Sequence, residues 1–391
     1  MSLKSWLLCF LLSLFLNPVA RAQVCAGVDW PLWQGFKKHY LQDSGRVLDG
    51  STDLQHSSSE GQSYGMFFAL VANDRPAFES MWRWSVDNLA GGDMSQRLPA
   101  WIWGLSDKAK WEVLDANSAS DADVWFAYTL LEAGRLWDEP KYEQAGQALL
   151  ALIQEQEVVE LPELGAMLLP GKDSFVKSET SWQLNLSYLP VPVLRRLSKA
   201  TPAPAWKSLA ENSVRFMQQA APKGLAADWN YYQQQDGRYV FTVDQQKGPV
   251  GSYDAIRTYL WAGMTDHADP LAQPALQALS GMAKLMQSEY RVIPPEQVNT
   301  QTGAAQGEGP FGFSAALLPY FIALNMSDQA AWQRERVQVE WRAAMQPTRT
   351  IERQPPYYDV MLSLFGLGWA EGYYRFAPDG LLRPKWQSTC E

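Results

Sequence analysis

Along the whole of this sequence a helix is answered, across a short break rich in Pro, Asn, Asp or Gly, by a second helix, and this pattern restricts the fold more than any other feature. Residues 62–73 have helical periodicity, Asp74-Arg75-Pro76 interrupts it, and a second helix follows to about residue 90. The same reading pairs 123–137 with a helix to about 156, 181–198 with 205–220, 252–266 with 270–287 and 312–324 with 328–345, while 357–375 closes the chain. Proline recurs in the first turn of the second helix, where its missing N–H costs nothing and its fixed φ suits a helix start. Runs of alternating β-branched residues are scarce. GRYVFTV, residues 237–243, is read as adding a short strand or two.

Five hairpins with a helix at each end give roughly twelve helices, an all-α chain. Each hairpin has a face to bury, and successive hairpins bury it by closing into a ring with first helices inside and second helices outside. The inner helices then run the same way, and their N-terminal ends converge on one face. Four connections, at 91–120, 158–175, 221–248 and 291–310, are long and collect Gly, Pro and Trp on their way to inner helices. Long loops in a compact domain usually carry function. No linker divides the chain, so 23–391 reads as one domain.

Residues 1–22 form a basic start, an apolar run and the small-x-small site Ala20-Arg21-Ala22, which is the pattern of a secretory signal peptide. The run falls short of the ~20 residues needed to span a bilayer. Cleavage after Ala22 is expected, leaving a periplasmic or secreted protein with no membrane segment and a monomeric state. Cys25 and Cys390 are then the remaining cysteines. In an oxidising compartment they can close the chain into one loop; the alternative is two unpaired thiols at frayed ends. A net charge of −9 without a basic run disfavours nucleic acid and anionic membranes as partners.

The chain holds 18 Trp and 16 Tyr, whose flat apolar faces and polar edges suit the CH faces of sugar rings, although core packing claims many of them. Three acids stand at matching places: Glu60 and Asp121 before the first two inner helices, and Asp254 at the start of another. Each has a capping explanation. Ser57 with Glu60 and Ser120 with Asp123 have the spacing of a capping box, and an acid near a helix start complements its dipole. Convergence on one face beside aromatic loops favours chemistry, since paired carboxylates across an aromatic groove are the equipment of glycoside hydrolysis. His39, His56 and His267 lack metal-binding spacing, and phosphate-loop, dinucleotide and nucleophile-elbow motifs are missing from the sequence, so no metal or other cofactor is expected.

The segments SSSEGQSYGMFFAL, RLPAWIWG, WEVLDANSASDADVWFAYTLLEAGRLW, MLLPGK, SYDAIRTYLWAGM and PPEQVNTQTGAAQGEGPFGFSAALLPY resemble those of family 8 glycoside hydrolases, over nearly the whole mature chain and including the terminal cysteines. The resemblance implies an (α/α)6 barrel with its cleft where the inner helices start, and inverting hydrolysis of β-1,4-glucan. It makes Glu60 the general acid and Asp254 the general base, and gives Asp121 the holding of a distorted sugar in preference to a nucleophilic role. Arg257, one turn after Asp254, is expected to hold a carboxylate ionised. Trp101, Trp103, Trp111, Trp182, Tyr188, Trp229 and Tyr253 are candidate sugar-stacking residues, two or three of them expected to be core instead. Trp82, Trp84 and Trp206 are expected to pack. Within the family the sequence closely resembles the branch that acts beside a bacterial cellulose synthase, which implies a cello-oligosaccharide or cellulose substrate and a functional link to that complex. Two rival readings are the same barrel acting on xylan, chitosan or mixed-linkage glucan, and a non-catalytic glucan-binding protein whose acids only cap helices.

Overall fold

The computed structural model describes residues 25–50, 55–288, 292–346 and 354–390. The expected signal peptide lies outside them. In chain order the helices are α1 (Pro31–Tyr40), α2 (Ser59–Val71), α3 (Arg75–Leu89), α4 (Ser120–Trp137), α5 (Pro140–Gln156), α6 (Val191–Ala200), α7 (Pro204–Ala220), α8 (Ala255–Met264), α9 (Ala272–Ala278), α10 (Ser280–Ser288), α11 (Phe311–Ala323), α12 (Ser327–Ala344) and α13 (Tyr357–Ala370). With α9 and α10 read as one outer helix broken at Leu279, inner and outer helices alternate six times, which is the (α/α)6 barrel.

Burial separates the two layers. In α2 every residue from Gly61 to Val71 is buried, and in α11 every residue from Phe311 to Phe321, because an inner helix is packed on all sides. Outer α12 buries only Ala330, Gln333, Val337 and Trp341, a single helical stripe facing the inner layer. Several helices begin with proline at the first or second position, among them α1, α3, α5 and α7. Asp74 ends the first hairpin's break by accepting from Ala77 N (3.2 Å), Trp33 Nε1 (3.0 Å) and Lys37 Nζ (2.7 Å), which ties α1 to the start of α3.

The barrel axis is filled with aromatic rings. Phe365 of α13 lies 5.0 Å from Tyr64, 4.6 Å from Phe68, 5.3 Å from Trp125 and 5.1 Å from Trp261, so one side chain joins α2, α4, α8 and α13. Close helix packing depends on glycine at two places. A Cβ on Gly263 would stand 2.3 Å from Tyr320 N, and one on Gly366 only 1.9 Å from Ala315 O.

The end of the barrel where the inner helices finish is closed by an antiparallel ribbon, Tyr374–Phe376 with Leu382–Pro384. Buried Glu132 holds it there, accepting from Leu382 N (2.8 Å), Arg196 Nε (2.5 Å) and Arg135. Cys25 and Cys390 are joined by a disulfide, with Cα atoms 5.6 Å apart.

Two expected helix ends are corrected. Residues 181–190 are not helical: Ser181–Leu184 is a strand in a four-stranded antiparallel sheet with Val176–Ser178, Asn230–Gln235 and Arg238–Val243, and Leu186–Tyr188 is a 3-10 turn. The helix starts only after Pro190, whose ring fixes the entry. At the other end α13 stops at Ala370, because Gly372 takes a positive φ of 78° and turns the chain into the ribbon.

Candidate active site

The inner helices begin on one face, and the three singled-out acids meet there. Glu60 is not a helix cap. Ser58 supplies that function, accepting from Gly61 N at 3.0 Å, while Ser57 Oγ donates to Val47 O (2.6 Å) and accepts from Arg46 Nε (2.8 Å). The capping box is therefore off by one residue, and the Glu60 carboxylate is left for another partner. The second box does not form either, since α4 has no side-chain cap. Asp123 is instead sealed beside Glu157, and burial followed by the neighbouring carboxyl pushes its pKa well up.

One guanidinium gathers the acids. Arg257 Nη1 donates to Glu60 Oε2 (2.6 Å), Asp121 Oδ2 (3.0 Å) and Tyr64 Oη (3.3 Å). Its Nη2 donates to Asp254 Oδ1 (2.9 Å) and Ser187 Oγ (3.2 Å). The Arg257 side chain is 4% exposed and that of Asp121 3%, against 19% for Glu60 and 30% for Asp254. Glu60 and Asp254 therefore reach solvent, while Asp121 lies behind them with its other oxygen taken by Ala122 N at 2.8 Å.

Burial raises the Glu60 carboxyl. Arg257 opposes the rise, the charges of Asp121 and Asp254 add to it, and the balance stands at about 7. Asp121 is also raised, again by burial first. A carboxyl that keeps its proton to near neutrality can donate it, and a partly solvated carboxylate on the other arm of the same guanidinium can accept one from water.

Glu60, Asp254 and Arg257 line a cavity of about 340 Å³ with Trp101 and Tyr253 at its rim, both 45% exposed. A larger cavity of about 820 Å³, lined by Trp369, Arg375 and Arg383, lies at the opposite end of the barrel, away from all three acids. The smaller one is the candidate site, because Glu60, Asp254 and Arg257 converge on it.

The other aromatic candidates divide. Tyr188 lies 5.6 Å from the Arg257 guanidinium carbon, and Trp229 stacks on Phe175 at 6.0 Å beside it. Trp103 meets Trp84 edge-on at 5.3 Å, and Arg46 lies 4.7 Å and 4.8 Å from the centroids of Trp103 and Trp111; neither ring lines the cavity, and Trp111 remains 47% exposed. Trp182 does not reach the cleft. It is 8% exposed and packs among Tyr232 and Tyr239, because the alternation of its strand turns it inward. Trp84 and Trp206 are buried as expected, and Trp82 packs against the same core.

Sequence reasoning missed Asp228, Ser187, Tyr357 and Tyr358, all at or beside the cavity. Asp228 lies in one of the long Trp-containing connections, which was the only signal for it. Among the described residues no group of three or more His, Cys, Asp or Glu is arranged to hold a metal ion.

A helical barrel whose open end carries two carboxyl groups on one guanidinium, beside exposed aromatic rings, has the architecture of a glycoside hydrolase. The chain belongs to glycosyl hydrolases family 8, whose profile matches residues 12–372. It is 48% identical to an endoglucanase of Xanthomonas axonopodis pv. citri over 92% of this chain and 90% of that one. It is 45% identical to an endoglucanase of Escherichia coli K12, covering 95% of each. The crystal structure of an endo-1,4-D-glucanase from Vibrio fischeri superposes with a TM-score of 0.85 at 37% identity, covering 92% of this chain and 99% of the other.

Proposed function

We propose that this chain is an endo-β-1,4-glucanase that cuts cellulose chains internally with inversion at the anomeric carbon. The observation that carries this reading is the shared guanidinium, which holds Glu60 and Asp254 on different arms beside one solvent-open cavity. Glu60, protonated up to about pH 7, gives its proton to the glycosidic oxygen as the bond to the anomeric carbon breaks. Asp254 takes a proton from a water whose oxygen forms the new bond from the opposite face. Asp121 is too enclosed to attack, so it acts through Arg257, which it holds against the other two acids.

The similarity to endoglucanases, an endo-1,4-D-glucanase among them, supports a 1,4-linked glucan as substrate, and Trp101 and Tyr253 offer stacking faces at the rim of the cavity that Glu60 and Asp254 line. The N-terminal segment 1–22 and the Cys25–Cys390 bond favour a periplasmic or secreted enzyme. Its place in this proposal is as a monomer in the making or export of bacterial cellulose. The test is cellopentaose hydrolysis by the mature protein, by Glu60→Gln and by Asp254→Asn, with product anomers followed by NMR. Initial α-anomer from the wild type and loss of activity in both folded variants are expected. Initial β-anomer would refute inversion, and faster release from chitosan or xylan would move the substrate elsewhere.

A further inference from the structure

A helix start needs its free N–H groups satisfied, and the residue at the N-cap normally supplies an oxygen. Asp254 stands at the N-cap of α8 and makes no capping bond, because its carboxylate is turned to Arg257 and the cavity. The capping comes from elsewhere. Asp228 Oδ1 accepts from both Ser252 N and Ala255 N at 2.8 Å, the residues that bracket Tyr253 and Asp254. Ile256 N and Arg257 N are satisfied by the backbone carbonyls of Ser252 and Asp254.

The segment that brings Asp228 here is fixed at three points. Asp228 N donates to Val250 O (2.8 Å), and Ala226 N donates to Tyr259 Oη (3.0 Å), one helical turn beyond Asp254. Gly251 permits the approach, since a Cβ there would meet Ala226 O at 2.1 Å. The Asp228 carboxyl also lines the cavity that Asp254 and Glu60 share.

We infer that Asp228 is the positioning residue of the catalytic base: by capping α8 from outside, it frees the Asp254 carboxylate for water and fixes the direction in which it points. The inference rests on the reading of Asp254 as base. Asp228 also places a second negative charge near Asp254. Burial and that like charge raise its own pKa to about 6, while its backbone donors and Arg257 oppose the rise. Glu60 of α2, Asp121 of α4, Tyr188, Tyr259 of α8 and Tyr357 and Tyr358 of α13 are the other titratable groups around the pair, with Tyr253, Asp49 and His56 at the rim.

The experiment compares Asp228→Asn, Asp228→Ala and Asp254→Asn with the wild type, measuring kcat and KM on cellopentaose across pH together with thermal unfolding. Asp228→Asn keeps an acceptor for both N–H groups. Its kcat is expected within a few-fold of wild type, since both N–H groups at the start of α8 stay capped. Asp228→Ala loses the aim, and kcat should fall about 100-fold with KM changed less than about threefold. An alanine variant that melts earlier but keeps kcat and its pH profile would reduce Asp228 to an ordinary cap and overturn the inference. So would an Asn variant as inactive as Ala, and the Asn result decides the matter if the Ala variant does not fold. Activity retained by Asp254→Asn would instead remove the base assignment itself.

Discussion

Replacing Arg257 by Met keeps an unbranched apolar stem and removes the cation that Glu60, Asp121 and Asp254 share. Breaking a buried ion pair from one side costs about 3–5 kcal/mol, because the remaining charge stays uncompensated. Asp121 at 3% exposure and Glu60 at 19% feel this most, and Asp254 at 30% is discounted for its contact with solvent. The folded variant relieves the strain by keeping protons. Burial already raises Glu60 to about 7 against the opposing pull of Arg257, so without that pull it rises further, as does Asp121. A carboxyl raised in the folded state holds a proton that the unfolded chain has released, so stability falls as pH rises until the folded pKa is passed. Each extra proton gives about 1.4 kcal/mol per pH unit. Wild-type Glu60 keeps its own proton to about pH 7, so the variant's extra proton counts over about one pH unit, and the deficit of Arg257→Met should grow by about 1–2 kcal/mol between pH 6 and pH 8. Urea unfolding followed by Trp fluorescence at both pH values measures it. A deficit that does not change with pH, or one below about 1 kcal/mol at pH 8, would refute the idea that the guanidinium holds the acids in their working charge states.

Other perturbations separate the site from the scaffold. Trp101→Ala should lower kcat/KM for cellopentaose about tenfold while leaving the melting temperature nearly unchanged, since the ring is 45% exposed. Trp182→Ala should do the reverse, losing about 3–5 kcal/mol of stability at a position that is 8% exposed while KM stays the same. Glu132→Ala should cost about 3–5 kcal/mol in denaturant unfolding, because it leaves buried Arg196 and Leu382 N without their acceptor. Gly366→Ala should cost about 3 kcal/mol or more in the same assay, as the new Cβ would press on the backbone of α11 at Ala315.

The barrel was legible because its punctuation is local. Asp74-Arg75-Pro76 and Asp138-Glu139-Pro140 stop one helix and start the next with groups that act within a turn, so the hairpins and their order could be read directly. Ser181–Leu184 was misread because four residues with alternate burial cannot be told from the first turn of a helix by periodicity alone. The acids were found because three helix starts each carry one. Their common partner was half visible, since Arg257 lies one turn after Asp254, but its bonds to Glu60 and Asp121 cross 197 and 136 residues. Asp228 and Ser187 were out of reach for the same reason. Each enters the site on a connection whose course is set by packing against distant backbone, as where Gly251 admits Ala226.

The bond between Cys25 and Cys390 makes residues 25–390 a covalent circle. A protease that cuts the exposed turn at 107–110 would then open the circle without releasing a fragment, and the cut molecule would be a single linear chain with new ends at the hairpin of 102–115. Two separable pieces require both the cut and reduction. For this barrel, where the chain begins and ends in space is decided by whichever covalent link is broken first.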